Sequence, residues 1–288
     1  MNRWIDRWLA GAAVLLACLV IAHQWTFISE SNLLTRALQN SLHVPAFAVL
    51  SYFLAASWKK ASVIVVLAIS LSVALVLESA QIFSARDASL MDLGSDILGS
   101  LLGVWVARGS RVGQVCGTAV LVLVTVWAPL HVWRSYLERD RNFPVLMDAG
   151  SASSKLFSSN SDVSITQIED GGREMLRVCW SEVQYPGVQM VEVVPDWSAF
   201  ETFHLEFEIE PAAKAAGEGA VQLTVAVGHS GVPGTSVYVP EDFPPGWHRW
   251  EIARNALDKD AATISHLIIH SSPEHAGRCI RIARAFLD

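Results

Sequence analysis

Ionisable residues cluster around one short loop between two apolar runs of this chain, among them Glu78, Arg86, Asp92 and Asp96. Charged groups are costly at membrane depth, so ionisable residues between apolar runs indicate a functional site by default. The guanidinium has the planar fork that holds a phosphate or carboxylate. The carboxylates have the chemistry of an acid, a base or a proton relay in a pocket of low dielectric constant.

Spacing places these groups on helix faces. Glu78 precedes Gln81 by three residues, which puts both side chains on one face of the first helix. After the loop, one face of the second helix carries residues at i, i+4, i+7 and i+11, namely Asp92, Asp96, Gly99 and Gly103. The two glycines predict close packing against another helix.

A purely structural role for these residues is the alternative. Glu78 and Arg86 could form an ion pair that fixes the turn, and Ser89 with Asp92 fits a capping box at the start of the second helix. This interpretation explains each pair separately. It explains the complete set of polar residues less well, because a structural turn does not require Glu, Gln, Arg, two Asp and His43 in one place.

The polar residues also carry a family resemblance. The pattern E-x-x-Q-x-F-x-x-x-R-x-x-S-x-x-D with a glycine-spaced helix after it resembles the VanZ-like membrane proteins, and His43–Phe47 (HVPAF) resembles that family's first motif. The matching positions are Glu78, Gln81, Phe83, Arg86, Ser89, Asp92, Gly99 and Gly103. The resemblance covers about Asn40–Val106 and implies an integral membrane protein of the bacterial envelope.

Two positions depart from the family pattern. Asn40 stands where the family usually has an acidic residue before the motif histidine, and Asp96 stands where it has Asn. The first departure removes the expected acidic partner of His43, and the second adds a carboxylate. The family is associated by name with resistance to teicoplanin-type glycopeptides, so the resemblance implies recognition of an envelope component.

Composition divides the chain into two halves. Residues 1–144 hold 11 Lys+Arg and 8 Asp+Glu, whereas residues 145–288 hold 10 and 20. A chain with 52% hydrophobic residues and this asymmetry predicts a membrane half and an acidic half outside it, and makes nucleic acid an unsuitable partner. The predicted domains are a membrane domain at 1–141, a linker with an entry strand at 142–160 and a β-sandwich at 161–288.

Apolar runs predict five transmembrane helices: Leu9–Ile28, His43–Trp58, Ala61–Phe83, Ser89–Ala107 and Val115–Trp133. Basic residues precede the first run and separate the second from the third and the fourth from the fifth, so these three clusters share one side. The positive-inside rule makes that side cytoplasmic. We therefore expect a bacterial inner-membrane protein with its N-terminus in the cytoplasm and its C-terminal domain in the periplasm or outside the cell.

After Asn142 the apolar period changes from helical to alternating. Phe203–Ile209 alternates apolar and polar residues, which is typical of a strand with one solvated face. Six similar runs occur at Leu176–Glu182, Val188–Val194, Val221–Val227, Trp247–Ile252, Ile264–Ile269 and Ile280–Phe286. Seven short strands at this density predict an antiparallel β-sandwich.

The order of cues in this half resembles a galactose-binding-like jelly roll, from about Phe157 to Asp288. That resemblance implies that the first and last strands are neighbours, in which case Cys179 and Cys279 could pair in an oxidising compartment. It also implies a polysaccharide ligand. Sugar-stacking candidates are Trp180, Tyr185, Trp197, Tyr238, Trp247 and Trp250, of which Trp197 and Trp247 are expected in the core.

Three functions remain open on this sequence. The preferred hypothesis is non-catalytic recognition of a lipid-linked glycan, polysaccharide precursor or glycopeptide by a polar cavity at the outer leaflet. The alternatives are an enzyme acting on a lipid-linked phosphate or glycan, and a structural subunit of an exopolysaccharide system. The candidate binding residues are Glu78, Gln81, Arg86, Asp92, His43 and Asp96. No CxxC or HExxH spacing occurs, so we predict no metal site and no cofactor.

Overall fold

The computed structural model describes residues 32–82, 90–151, 154, 157–161, 163–182, 186–211, 219–229, 237–257 and 263–288. The predicted first span, Leu9–Ile28, and the loop residues Arg86 and Ser89 lie outside these ranges. Contacts divide the chain into two compact units, Met1–Trp133 and Arg134–Asp288.

Helices make up the described part of the first unit. They are α1 (Leu33–Ser41), α2 (His43–Ser57), α3 (Val63–Ile82), α4 (Leu90–Arg108) and α5 (Arg111–Asn142), the last of which continues into the second unit. The helix α1 lies between the first and second predicted spans, where no helix was predicted. Asn32 starts that helix by accepting a hydrogen bond from the Thr35 backbone N–H at 2.8 Å, as expected of an Asn cap.

The prediction of five membrane spans is only partly matched. Within the described residues, α4 and α5 are long and apolar enough to cross a membrane, while the apolar stretch Val63–Ser79 of α3 is shorter. The helix α2 has 15 residues. Four of the five predicted apolar runs are therefore helical, but two of them satisfy length and composition for a crossing.

Two glycines of α4 bring it against α2. A Cβ atom on Gly99 would clash with the backbone carbonyl of Val44, and one on Gly103 would clash with that of Ala48. Only glycine permits such a close approach of two helix backbones. An apolar core also lies between α2, α3 and α4 and includes Phe47, Leu50, Leu54, Val66, Ala74 and Val104.

The second unit is an antiparallel β-sandwich. Its strands are β1 (Val145–Asp148), β2 (Ser158–Ser161), β3 (Val163–Asp170), β4 (Arg173–Trp180), β5 (Gly187–Val191), β6 (Thr202–Ile209), β7 (Val221–His229), β8 (Val237–Phe243), β9 (Gly246–Ala253), β10 (Ile264–Ser271) and β11 (Cys279–Leu287). A short helix, α6 (Arg254–Leu257), follows β9. One sheet has the order β3-β4-β11-β6-β9, with β1 also paired to β11, and the other has the order β2-β5-β10-β7-β8.

The alternation seen in the sequence fills the layer between the two sheets. Phe203, Leu205, Phe207 and Ile209 of β6 are fully buried, together with Trp197 before that strand. Val221, Leu223, Val225 and Val227 face them from β7. Because side chains alternate across each strand, the remaining residues of both strands lie on the outer faces of the sandwich. The predicted β-sandwich is confirmed.

A disulfide joins two neighbouring strands of the first sheet. Cys179 of β4 and Cys279 of β11 are directly paired across the strands and are bonded through their sulfur atoms. The bond closes a stretch of chain with a sequence separation of 100 residues. It therefore links the early and late parts of the sandwich covalently.

An ion-pair network covers the outer face of the same sheet. Glu210 accepts hydrogen bonds from the Arg177 guanidinium at 2.7 and 2.8 Å and from Arg281 Nε at 2.8 Å. Arg281 also contacts Asp170 and Glu208. These bonds, first those from Arg177, lower the pKa of Glu210 to about 2.

This depressed pKa predicts a pH-dependent stability. Since the ordinary pKa of Glu210 is 4.5, its stabilising effect is complete above about pH 4.5 and is lost as the pH falls toward 2. We expect Glu210→Gln to lower the free energy of unfolding by about 1–2 kcal/mol at pH 7, and by progressively less as the pH falls below 4. Urea unfolding followed by tryptophan fluorescence measures both. The exposed control Glu241→Gln should change neither, and an equal loss at pH 3 and pH 7 would contradict the assignment.

Candidate functional site

A buried histidine and a buried aspartate meet between α2 and α4. His43 begins α2 and is 5% exposed, and Asp96 lies in the second turn of α4 and is 2% exposed. Their Nδ1 and Oδ1 atoms are 2.9 Å apart, within hydrogen-bond distance. The pair is separated by 53 residues in the chain, so the fold and not the local sequence brings it together.

Glu78 of α3 completes this group and is 8% exposed. One potential ligand atom from each of His43, Glu78 and Asp96 lies within 4.8 Å of the other two. We call these three residues the polar cluster. Three helices thus each contribute one ionisable side chain to one point between them.

The glycine face of α4 explains why the cluster forms. Gly99 lies three residues after Asp96, and its missing side chain lets α4 touch the backbone of α2 at Val44, next to His43. This contact therefore places the Asp96 side chain, which lies on the same face of α4, against the imidazole of His43. The glycines that allow α2 and α4 to pack closely therefore also bring His43 and Asp96 together.

An apolar cavity of about 320 Å³ opens beside the cluster, between α3 and α4. Its lining from α3 is entirely apolar and includes Ala68 and Leu71. From α4 it is lined by Ile97 and Leu101 and by two polar residues, Asp96 and Ser100. Asp96 therefore belongs both to the polar cluster and to the wall of an apolar cavity.

Of the other predicted site residues, the structure describes the side chain of Asp92 but not those of Gln81 and Arg86. Asp92 lies one turn before Asp96 on the same side of α4 and is half-buried. Gln81 lies on the last turn of α3, with its side chain outside the described part of the chain, as is Arg86. Of the six candidate binding residues, the structure thus brings together Glu78, His43 and Asp96.

Asp96 is also one of the two positions at which this chain departs from the VanZ-like pattern. The family resemblance suggested an acidic partner for the histidine from a residue just before it, where this chain has Asn40. Here the acid comes from α4, at the position where the pattern has Asn. No short sequence motif contains the three cluster residues, because they come from three helices.

The outer face of the second sheet forms another candidate surface. Tyr238 of β8 is 61% exposed and lies across from Ala226. His266 and His270 of β10 face Gly228 and Gly187, whose missing side chains leave room for the two histidines. We call Tyr238, His266 and His270 the sandwich face. The Tyr238 ring lies edge-on to the His270 ring, with centroids 6.1 Å apart.

Burial lowers the pKa of both His266 and His270. Both imidazoles are therefore neutral at pH 7, and a neutral imidazole both donates and accepts a hydrogen bond. The exposed Tyr238 ring has the chemistry to stack against the apolar side of a sugar, and the half-buried His266 imidazole has the chemistry to bond a hydroxyl, whereas His270 is only 9% exposed.

The remaining aromatic predictions divide between core and surface. Trp197 is in the core as predicted, and Trp180 and Trp250 are buried as well. Trp247 was expected in the core, but it is 45% exposed on the outer side of the edge strand β9, beneath the Arg173 guanidinium. An edge strand leaves its outer residues open to solvent, which explains the error. Tyr185 lies outside the described residues.

No family model and no curated protein sequence matches this chain. Solved structures similar to it include an exo-β-agarase, with a TM-score of 0.40, 14% identity and coverage of 50% of this chain and 24% of the agarase. A family 11 carbohydrate-binding module from Clostridium thermocellum, in complex with a β-1,3-1,4-mixed-linked tetrasaccharide, has a TM-score of 0.40, 12% identity and coverage of 49% and 93%. A family 29 module from Piromyces equi has a TM-score of 0.34, 13% identity and coverage of 50% and 87%.

Proposed function

We propose that this chain is a bacterial inner-membrane protein that recognises a lipid-linked glycan of the cell envelope without changing it chemically. The apolar chain of the ligand occupies the cavity between α3 and α4. Its polar head group meets the polar cluster. The sandwich face separately offers a surface for envelope glycans. The VanZ-like resemblance of the helical unit agrees with a role in the envelope.

One observation carries this proposal: Asp96 is shared by the polar cluster and the apolar cavity. A ligand that fills both must have an apolar part joined directly to a polar part. Ligand sites are usually concave and mostly apolar, with a few polar groups that fix orientation. A lipid-linked head group has this combination, whereas a free sugar would leave the cavity empty.

The surface of the helices supports placement in a membrane. Large apolar side chains are exposed along α3, α4 and α5, including Ile64, Val76, Trp105, Leu123 and Trp127. An apolar surface of this extent is typical of an interaction with lipid or with another protein. The Lys59–Lys60 pair before α3 and the Arg108 and Arg111 pair between α4 and α5 favour one cytoplasmic side.

Features of the sandwich support the part of the proposal that places this domain outside the cytoplasm. The disulfide between Cys179 and Cys279 is the kind of bond that persists in an oxidising compartment such as the periplasm. The sandwich face offers the exposed Tyr238 ring and the half-buried, neutral imidazole of His266 to a glycan. An outward position for this domain would place it on the side of the membrane where envelope glycans accumulate.

Retention of a radiolabelled lipid-linked glycan precursor by the full-length protein in lipid nanodiscs tests the proposal. We expect saturable retention without turnover by the wild type. Ala68→Phe fills the cavity and Asp96→Asn removes a charge from the cluster, and each should weaken retention at least about tenfold, equivalent to about 1.4 kcal/mol. The matched control is Ser72→Ala, whose hydroxyl bonds the carbonyl of its own helix at Ala68.

The same assay separates the alternatives. Release of a labelled product would identify an enzyme and contradict non-catalytic recognition. Equal retention by the wild type, Ala68→Phe and Asp96→Asn would contradict binding at this cavity. Loss of folded Ala68→Phe and Asp96→Asn, judged by gel filtration, together with no retention by folded wild type, would favour a structural role for the cluster.

A further inference from the structure

The polar cluster has the geometry of a metal site. The His43 Nδ1 and Asp96 Oδ1 atoms are 2.9 Å apart, and a carboxylate oxygen of Glu78 lies within 4.8 Å of both. Ligand atoms that bind one ion at about 2.0–2.2 Å are roughly 3.0–3.5 Å from one another, so the Glu78 side chain needs to move by an ångström or so. The terminal torsion of a glutamate is broad, so its carboxylate can rotate toward the other two ligands.

Charge and burial favour a cation at this position. Two carboxylates and one imidazole are nearly inaccessible to solvent in a unit whose core is apolar. Buried charges are tolerated in proteins when they are paired or coordinate a metal ion. A divalent cation balances the charge of both carboxylates, and Asp92 lies one turn away on α4 as a further acidic group.

The ligand set indicates the class of ion. One imidazole nitrogen with two carboxylate oxygens suits Zn²⁺ or Mn²⁺, whereas Ca²⁺ and Mg²⁺ take oxygen ligands. Three protein ligands leave at least one coordination position open. Since Asp96 lines the cavity, that open position can face a molecule bound there.

We propose that His43, Glu78 and Asp96 bind one divalent transition-metal ion, Zn²⁺ or Mn²⁺, inside the helical unit. The site itself depends on these three residues alone. Its role, which is to hold the anionic head group of the ligand through the open coordination position, rests on the function proposed above. The ion is a bridge between protein and head group, and no bond is made or broken.

Metal content of the purified full-length protein tests the site directly. The affinity tag is removed, the protein is stripped with EDTA in detergent, and Mn²⁺ is titrated back under electron paramagnetic resonance. We expect saturation at one ion per chain, with Zn²⁺ competing for it. His43→Ala, Glu78→Gln and Asp96→Asn should each weaken Mn²⁺ binding at least about tenfold, as loss of a ligand or its support commonly does.

Asp140→Asn is the matched control, because Asp140 is an exposed carboxylate on α5 that pairs with Arg139. It should bind Mn²⁺ like the wild type. Folded wild type that shows no saturable Mn²⁺ or Zn²⁺ binding would overturn the proposal, whatever the variants do. Unchanged affinity in folded Asp96→Asn would overturn it as well, since the ion would then be bound elsewhere.

A comparison of stripped and reloaded protein separates this proposal from the proposed function. Retention of the lipid-linked precursor only after reloading supports both. Retention by stripped protein with no metal binding overturns the metal site and leaves the proposed function standing. One ion per chain without any retention of precursor supports the metal site and overturns the lipid-linked ligand.

Discussion

Replacing Gly103 with alanine is expected to destabilise the helical unit severely. The new methyl group would fall on the backbone carbonyl of Ala48 in α2, which cannot swing aside as a flexible side chain can. The two helices must separate, and overpacking of this kind costs about 1–3 kcal/mol, or more where backbone is the obstacle. We expect the free energy of unfolding to fall by about 3 kcal/mol or more, and the yield of monodisperse protein to fall as well. Thermal denaturation in detergent, followed by gel filtration, measures both.

The same helix supplies the control for this prediction. Nothing lies within 4 Å of a Cβ atom added at Gly94. Gly94→Ala should therefore be neutral, or stabilise the helix by about 0.5–1 kcal/mol through the better helix propensity of alanine. Opposite effects of one substitution at two positions of α4 would identify contact with α2 as the cause. Similar behaviour of the two variants would contradict the close approach of α2 and α4.

Removing the disulfide is expected to have the second large effect, in the sandwich. The bond between Cys179 and Cys279 spans a separation of 100 residues, and loss of a native disulfide typically costs about 2–5 kcal/mol. The variant with both cysteines replaced by serine should melt roughly 5–15 °C below the wild type. Near-ultraviolet circular dichroism follows the melting through the buried tryptophans of the sandwich.

Cys116 provides the control, because it is the free cysteine among the described residues and is exposed on α5. Cys116→Ser should melt within about a degree of the wild type, since surface changes away from packed features usually alter stability by less than 0.5 kcal/mol. Wild type treated with a reductant should melt like the double variant. A double variant that melts with the wild type would show that the bond does not stabilise the sandwich.

The strands in the middle of the sandwich could be predicted from sequence because they are buried on one face. Phe203–Ile209 alternates strictly, and each inward residue fills the core. The prediction missed β2, β3 and β8, which lie at the edges of their sheets. Edge strands tolerate proline and charges that central strands exclude, and β8 contains Pro240, Glu241 and Asp242. Their sequences therefore lack the pattern that reveals a strand.

The helical unit was predictable in type and less so in detail. Apolar runs identified α2, α3, α4 and α5, yet two of these helices meet the length and composition of a membrane crossing. A short apolar helix such as α2 can be covered by its neighbours, so a sequence run alone does not distinguish a crossing from a packed core helix. The close packing of α2 on α4 is such a case.

The candidate site, too, could be predicted from the sequence only within a single helix. Spacing along one helix predicted that Asp92, Asp96, Gly99 and Gly103 share a face, since helical periodicity is local. Which residues of other helices meet that face depends on tertiary packing. The sequence allowed an ion pair between Glu78 and Arg86 as one alternative, and it offered His43 no acidic partner nearby in the chain. The hydrogen bond between His43 and Asp96 could not be predicted because 53 residues separate them.

The central claim is that the polar cluster and its cavity hold a lipid-linked envelope component. The most direct measurement is the number of labelled precursor molecules bound per chain in nanodiscs, for the wild type and for Ala68→Phe. We expect one molecule per wild-type chain, unaltered after release, and less than a tenth of that occupancy for folded Ala68→Phe at the same precursor concentration. Equal occupancy of the two proteins would contradict the claim.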